Sequence, residues 1–577
     1  MPNKRSGMIV YALLLMAAFS FRAVVARFLA NDQPVDGQIY AQIARNVLEQ
    51  HIYSHATEPP YEPSLIRLPG YPVFLAAVYS VFGHTNNTAV RIVQALVDTA
   101  SCALISLVAF LWEPDEKLKR RTTITALALA AVCPFTAIYV GTILTETLTI
   151  FFAVAMCLIA TLAFKATTLG KGLLLWGATG ILGGVAVLFR PDSGLFVAAI
   201  GITLVVTTLM RSSRTQEKKR KQEIFYRFSR ASYLGAMFSL AFCLVLVPWT
   251  IRNHRIFHLF QPLAPAHAEM PGEFVPRGYL AWVRTWLDDG RYIGPVLWSL
   301  DETPIRLQNI PNRAFDSPEE KQRVAALLEK YNHPPDEQDA LFTQPGSQEA
   351  PTPLEDPANQ NKESESATPE EEPSQSDKDK TGEEADKTDE ADKGDESDSG
   401  DQGDEADQND ENAAPDSAIS QPVEMTPEID AGFAQIAQER IARHPVRYFL
   451  WLPVKRAYSL WFDTHSQYYP FEGELLPLDD LDHDIHQQFW LPLFAALTFV
   501  YTLLGILGGW SLWDTRDFMA RQWLLLAALI IFLRLGFFST LENPEPRYVV
   551  EIFPFLSILG GIALSRTALL FKISKTS

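Results

Sequence analysis

Long apolar stretches alternate with charged loops along most of the chain. We read ten of them as spans, at about 8–29, 89–111, 122–141, 145–164, 172–190, 193–210, 231–251, 488–510, 521–540 and 548–566. Each is about 18–22 residues, the length a helix needs to cross roughly 30 Å of hydrocarbon. Two further apolar runs break the pattern. Tyr71 to Phe82 has only about 12 residues and starts among prolines; Arg447 to Phe462 is aromatic-rich but interrupted by Pro453 and charges. Both are better read as interfacial helices than as spans. The pattern predicts an all-α, multi-spanning membrane protein of about ten transmembrane helices, with interfacial helices in its first and its large outer loops.

Charge orients the bundle. Lys4 and Arg5 precede the first span, and Lys117, Lys119, Arg120 and Arg121 follow the second. Lys165 and Lys171 flank the next loop on that side. Arg211 to Arg230 holds eight Lys and Arg, Arg516 and Arg521 lie in another loop, and Lys572 and Lys575 follow the last span. Ten spans put every cluster on the cytoplasmic side, as the positive-inside rule requires. The opposite face then collects Asp36, the 31–88 loop, Glu146, Arg190, Asp192, Arg252 to Gln487, and Glu542 to Arg547. A rival reading takes the first stretch as a signal peptide cleaved near Val24-Val25-Ala26, but its apolar character continues past that point.

The net charge of −19 is misleading. From Gln344 to Met425 there are 27 acidic residues and five lysines, so this segment carries −22 and the remainder +3. It lacks aromatics and has almost no large aliphatics, so it cannot bury enough surface to offset chain entropy and is predicted to be disordered. No Asp-x-Asp-x-Asp-Gly loop suggests calcium. The chain therefore divides into an N-terminal membrane region with the first outer loop (1–342), an acidic insert (343–427), and a C-terminal region of interfacial and transmembrane helices (428–577). The four cysteines sit in apolar stretches without a CxxC pair, which argues against a disulfide framework or a zinc site.

Ionisable groups near a bilayer are unfavourable without partners or work, and here they gather at one face. Asp36 opens an amphipathic segment with Ile39, Ile43 and Val47 at helical spacing; it is either a general base or an N-cap. Arg67, before Leu68-Pro69-Gly70, is either a phosphate clamp or a snorkelling arginine. Glu146 starts a span, where the helix dipole favours a carboxylate. Arg190 and Asp192 read as a local ion pair. Arg252 follows Pro248-Trp249 and suits an interfacial belt. Arg547 precedes Tyr548, with Glu542 and Glu545 as potential partners. His483 and His486 could hold a metal, but an exposed loop explains them as well, and we assign no metal site. Walker, GxGxxG, HExxH and GxSxG motifs are missing, so no cofactor and no nucleic-acid partner is indicated.

Taken in order, these segments resemble the GT-C superfamily of integral-membrane glycosyltransferases, especially bacterial relatives of protein O-mannosyltransferases and of lipid A aminoarabinose transferase. The resemblance runs over about 8–310 and 435–566. It is carried by Asp36, Tyr40, Ala44 and Arg45; by Arg67, Pro69, Gly70 and Phe82-Gly83; by Pro248, Trp249, Arg252 and Asn253; by His444, Pro445 and Tyr448; and by Glu545, Arg547 and Tyr548. Where the family often has Asp-Glu, this chain has Asp36-Gly37. The resemblance implies inverting transfer of a sugar from a polyprenyl-phosphate donor, at the outer face of a bacterial inner membrane, to a glycan, lipid or protein acceptor. It implies Asp36 as general base, Arg67 and Arg547 on the donor phosphate, and Glu146 positioning the acceptor or the base, with Tyr40, Arg252 and Tyr548 as further site candidates.

Two rivals are a transporter or lipid flippase, which would show ionisable residues at mid-span and two related halves, and a non-catalytic envelope assembly protein. In sequence the charges lie at span ends and the halves look unalike. The orientation has a direct check. Cysteines introduced near Gln42 and Ser374 are expected to react with an impermeant thiol reagent from outside, and one near Lys219 is not; outside labelling near Lys219 breaks the ten-span topology.

Overall fold

A computed structural model describes residues 4–32, 34–210, 217–333, 423–475 and 481–573. The acidic insert predicted over 343–427 lies outside them except for its last five residues, as does the disorder expected of it. Among the described residues the secondary structure is helical, with one isolated β-bridge between Asn31 and Thr142. In chain order the helices are α1 (Lys4–Phe28), α2 (Val35–Glu49), α3 (Gly70–Phe82), α4 (Asn87–Trp112), α5 (Lys119–Val132), α6 (Pro134–Ala137), α7 (Glu146–Phe164), α8 (Leu169–Phe189), α9 (Gly194–Met210), α10 (Glu217–Phe257), α11 (Arg277–Arg284), α12 (Pro318–Asn332), α13 (Pro427–Arg443), α14 (Leu452–Phe462), α15 (Gln487–Asp514), α16 (Phe518–Ser539) and α17 (Phe553–Ile573).

Among the described residues nine helices are long and apolar enough to cross a membrane, or ten if one bent pair is counted as a single span. The chain is a multi-span integral membrane protein. The stretch expected to cross as one helix at 122–141 instead breaks between α5 and Pro134, with a bend of 54°. Proline has no N–H to give the carbonyl four residues back, that of Ala130, and the bend interrupts the ladder at Ala131 as well, so both carbonyls take other donors. Arg22 of α1 supplies them, at 3.1 and 3.0 Å. Its guanidinium is paired in turn with Asp98 of α4 at 2.5 Å, and both side chains are almost fully buried. This corrects the expectation that charges stay at span ends. Arg22 and Asp98 lie well inside their spans, but their partners are protein groups at a helix break, so they brace the bundle and mark no transport path.

The last span forms the centre. It is 89% buried, against 17% for the first. Gly508 of α15 and Gly561 of α17 lie where an added Cβ would meet the backbone of Leu559 and Ala126. Close helix approach of this kind relies on small residues, because apolar burial alone does not drive helices together in lipid. Whatever begins the last span is therefore held at the middle of one bundle end.

Beyond that end, α11, α12 and α13 pack into a small extramembrane module around Tyr279, Trp282, Trp286, Tyr331 and Phe433. The sequence reading expected interfacial helices in this loop and did not foresee a packed core. Ser317 and Thr426 cap α12 and α13 by accepting from Glu320 N and Ile429 N, as N-cap hydroxyls do. On helix α14 and the turn before it, Trp451, Val454 and Tyr458 are exposed while Arg456 is buried, donating to the carbonyls of Leu287 and Arg284.

The brace at the helix break is testable. Asp98→Ala leaves Arg22 charged and buried without its carboxylate, and breaking a buried pair from one side typically costs about 3–5 kcal/mol. A marked drop in the thermal midpoint of the detergent-solubilised protein is expected. The double variant Arg22→Met/Asp98→Ala should recover part of that loss.

Candidate active site

Asp36 sits in the first turn of α2, but it is not the cap. Pro34 is the N-cap residue and makes no side-chain cap bond, which leaves the Asp36 carboxylate free for other partners. Its Oδ1 accepts from Arg67 Nη2 at 2.7 Å, and Oδ2 lies 3.5 Å from Arg547 Nη2. Two arginines 480 positions apart thus meet on one carboxylate. Asp36 keeps about a third of its side chain exposed, and Arg67 and Arg547 less. Burial opposes its ionisation, but the charges of Arg67 and Arg547 outweigh that and hold its carboxyl below the usual carboxylate range.

Each partner is fixed by its own surroundings. Arg67 ends a loop folded back on α2. Asn46 donates to the carbonyls of Ser54 and Ala56 at 2.9 and 2.8 Å, and the Tyr53 hydroxyl donates to Arg67 O at 3.1 Å. Arg252, at the end of α10, clamps the same loop by donating to Ser64 O at 2.7 Å, its guanidinium lying over Tyr53 and Trp249. Among the described contacts Arg252 does not reach Asp36; it supports the loop that carries Arg67. Tyr40, one turn along α2, packs edge-on against Tyr71, and the Arg67 guanidinium lies 6.0 Å from its ring centroid. Burial pushes the Tyr40 hydroxyl up to about 12, so it stays protonated.

Arg547 is held from the other side. Its Nε is 2.6 Å from Glu545 Oε2, and Nη1 donates to the Tyr468 hydroxyl at 3.2 Å. The Tyr548 hydroxyl donates to Glu545 at 2.7 Å. Behind Tyr548 lies a second group of charges. Arg190 pairs with Glu146 at 2.7 Å, Asp192 at 3.1 Å and Glu551 at 3.5 Å. Arg534 pairs with Asp192 at 2.6 Å and Glu551 at 2.8 Å and donates to Tyr548 O at 2.6 Å. Glu146 joins this buried group through Arg190. One of its carboxylate oxygens, Oε2, is buried without a hydrogen-bond partner.

The sequence reading named Asp36, Arg67, Arg547, Glu146, Tyr40, Arg252 and Tyr548, and saw Arg190–Asp192 as an isolated pair. It missed Arg534, Glu551 and Tyr468. A charged residue inside an apolar span was a usable signal for the first two; nothing local marked Tyr468. Among the described residues no group of three or more His, Cys, Asp or Glu is placed to hold a metal ion.

The described residues thus form an all-helical, multi-span membrane bundle with a web of guanidiniums and carboxylates at one end. Residues 62–249 match the family model of dolichyl-phosphate-mannose-protein mannosyltransferases. The match includes Arg67, Glu146, Arg190 and Asp192 but stops short of Arg252 and leaves out Asp36 and Arg547. The matched stretch is about a third of the chain, and its description agrees with the mannosyltransferase resemblance carried by the motifs. No curated protein matches the sequence. Among solved structures, the Archaeoglobus fulgidus oligosaccharyltransferase, tethered to an acceptor peptide containing the sequon NVT, aligns with a TM-score of 0.46 and 12% identity, over 99% of this chain and 51% of its own. The chain thus spans about half the length of that enzyme. ArnT from Cupriavidus metallidurans, bound to undecaprenyl phosphate, aligns with a TM-score of 0.32 and 13% identity, over 98% of this chain and 79% of its own.

The site geometry explains why glycine follows Asp36. A Cβ on Gly37 would lie 2.7 Å from the carbonyl oxygen of Ile143, three residues before Glu146. Backbone cannot yield as a flexible side chain does, so Gly37→Ala is expected to push α2 away from this loop. Overpacking of this kind costs about 1–3 kcal/mol. The expected readout is a lower thermal midpoint together with a lower turnover, the latter because Asp36 is carried on the displaced turn.

Proposed function

We propose that this protein transfers a sugar from a polyprenyl-phosphate-linked donor to an acceptor at the outer face of the membrane, with inversion. The observation that carries the reading is the meeting of Arg67 and Arg547 on Asp36. The family match over 62–249 supports the reaction class. The basic clusters at the opposite helix ends support the outward orientation.

The proposed chemistry follows from the pairings. A guanidinium recognises phosphate as it does carboxylate, through oriented N–H groups. A lipid phosphate reaching Arg67 and Arg547 competes with Asp36 for them. As the arginines turn to the phosphate, Asp36 loses the interactions that depress its proton affinity and becomes a better base toward an acceptor hydroxyl or amine. Donor binding and base activation are then one event. When the glycosidic bond breaks, negative charge grows on the leaving phosphate, and fixed guanidiniums stabilise that state more than the ground state. Glu146 acts through Arg190 and the Tyr548 segment, positioning Arg547. Tyr40 and Tyr548 shape the site as protonated, aromatic neighbours.

The direct test incubates purified protein with a panel of polyprenyl-phosphate sugars and measures released polyprenyl phosphate. Release from none of them would sink the proposal. Asp36→Asn is expected to lower turnover by about 10²–10⁴, the usual effect of losing a general base, with expression and membrane insertion near normal. Turnover within a few-fold of the parent would reduce Asp36 to a structural partner of the arginines.

Arg67→Ala and Arg547→Ala should each lower turnover by about 10²–10³, as loss of one charge-stabilising donor does. Lysine should restore only part, because it lacks the planar fork. If the two share one phosphate, the double variant falls less than the product of the single effects; fully multiplicative losses argue for separate roles.

A further inference from the structure

A second feature lies away from the Asp36 site. Between the extramembrane module and α14 is a cavity of about 520 Å³, within the range of small-molecule pockets, about 300–1,000 Å³. One wall is apolar and aromatic. Tyr458 and Phe462 are one helical turn apart on α14, their ring centroids 5.1 Å from each other, and Trp451 extends the wall. The other wall carries charge, but its cations are committed. Arg313 pairs with Asp288 at 2.8 Å, Lys455 with Asp288 at 3.1 Å, and Arg291 with Asp289 at 2.8 Å.

That pairing decides what chemistry suits the cavity. A phosphate or carboxylate would have to take these cations from Asp288 and Asp289, whose side chains are only 7% and 11% exposed against 33% for Asp36, and would leave both carboxylates buried without partners. Acceptor groups are what remain. Asp463 lines the cavity at the end of α14, and among the described residues its carboxylate accepts only from Thr464, from N–H at 2.6 Å and the hydroxyl at 3.3 Å, both onto Oδ1. Burial pushes this carboxyl up to about 6. Ser459 lines the same space. An aromatic wall facing carboxylate acceptors suits a ligand with apolar C–H faces and many hydroxyl donors.

We propose that this cavity binds a neutral carbohydrate, which packs a ring face on Tyr458 and Phe462 and donates hydroxyls to Asp463. Its assignment as the glycan part of the acceptor rests on the glycosyltransferase reading above. The connection to the Asp36 site is covalent and short. Asp463 and Tyr468, whose hydroxyl meets Arg547, are five residues apart, so their Cα atoms are separated by at most about 18 Å. A glycan seated in the cavity can extend a hydroxyl along this loop toward Asp36.

The test measures binding without turnover. The full chain in detergent is titrated with chitotriose, with maltotriose and with inorganic phosphate, following tryptophan fluorescence and confirming by calorimetry. Saturable binding of a trisaccharide and none of phosphate is expected. Asp463→Asn and Tyr458→Ala should each weaken it about tenfold or more, the scale of losing a hydrogen bond to a charged group. Tyr458 is exposed, so its variant decides the matter should Asp463→Asn unfold. No trisaccharide binding, equal binding by folded variants, or saturable phosphate binding that displaces the sugar overturns the assignment. Absent sugar binding in a protein that still cleaves a polyprenyl-phosphate donor rejects the cavity alone. Sugar binding in a protein that cleaves no donor rejects the acceptor role and the reaction class together, leaving a carbohydrate site.

Discussion

The architecture depends on one constraint: a charge carried into apolar helices must find a partner of opposite sign there. At the end of the bundle, Arg67, Arg547, Arg190 and Arg534 stand against Asp36, Glu545, Glu146, Asp192 and Glu551. An ion leaving water for such surroundings loses several kcal/mol of hydration, and only close pairing with further hydrogen bonds offsets it. Arg534 and Glu551 are fully buried at 2.8 Å from each other. The segment around Tyr548 is held where these charges hold it, and Arg547 follows.

The web is graded from support to site. Its inner part, around Arg190 and Arg534, is sealed and braces α8, α16 and the start of the last span. Its outer part, Asp36 with Arg67 and Arg547, is partly open. A fully sealed set of ion pairs resists exchange of partners; an open one lets an incoming anion compete. The same guanidinium geometry that pairs Asp36 suits a phosphate. That gradient ties the packing of the bundle to the chemistry proposed for it. The Arg22–Asp98 pair applies the same constraint elsewhere, where the unpaired carbonyls of a proline break replace a ligand as the reason for a buried arginine.

Spans, their order and the short helices were legible from apolar periodicity, because lipid demands long, continuous apolar helices and permits little else. The bend at Pro134 was foreshadowed only by the proline. The packed module around Trp282 and Phe433 was not legible, since these two residues lie 151 positions apart and the acidic segment between them dominates the composition of that loop.

For the site, local sequence was enough to single out Asp36, Arg67, Glu146 and Arg547 as ionisable groups at helix ends. It read Asp36 as a possible cap; the structure gives that position to Pro34. It grouped Arg190 with Asp192 because they are neighbours in sequence, and could not see Arg534 and Glu551 joining them. The sequence by itself determined a multi-span helical membrane protein with its unusual charges gathered at one end, because hydropathy and charge act residue by residue. The neighbouring pairs Arg190–Asp192 and Arg547–Glu545 were legible in sequence; which distant arginine meets which carboxylate was decided by tertiary structure alone. Pairing depends on distances of a few ångströms between side chains hundreds of positions apart, and only the packing of the helices sets those distances.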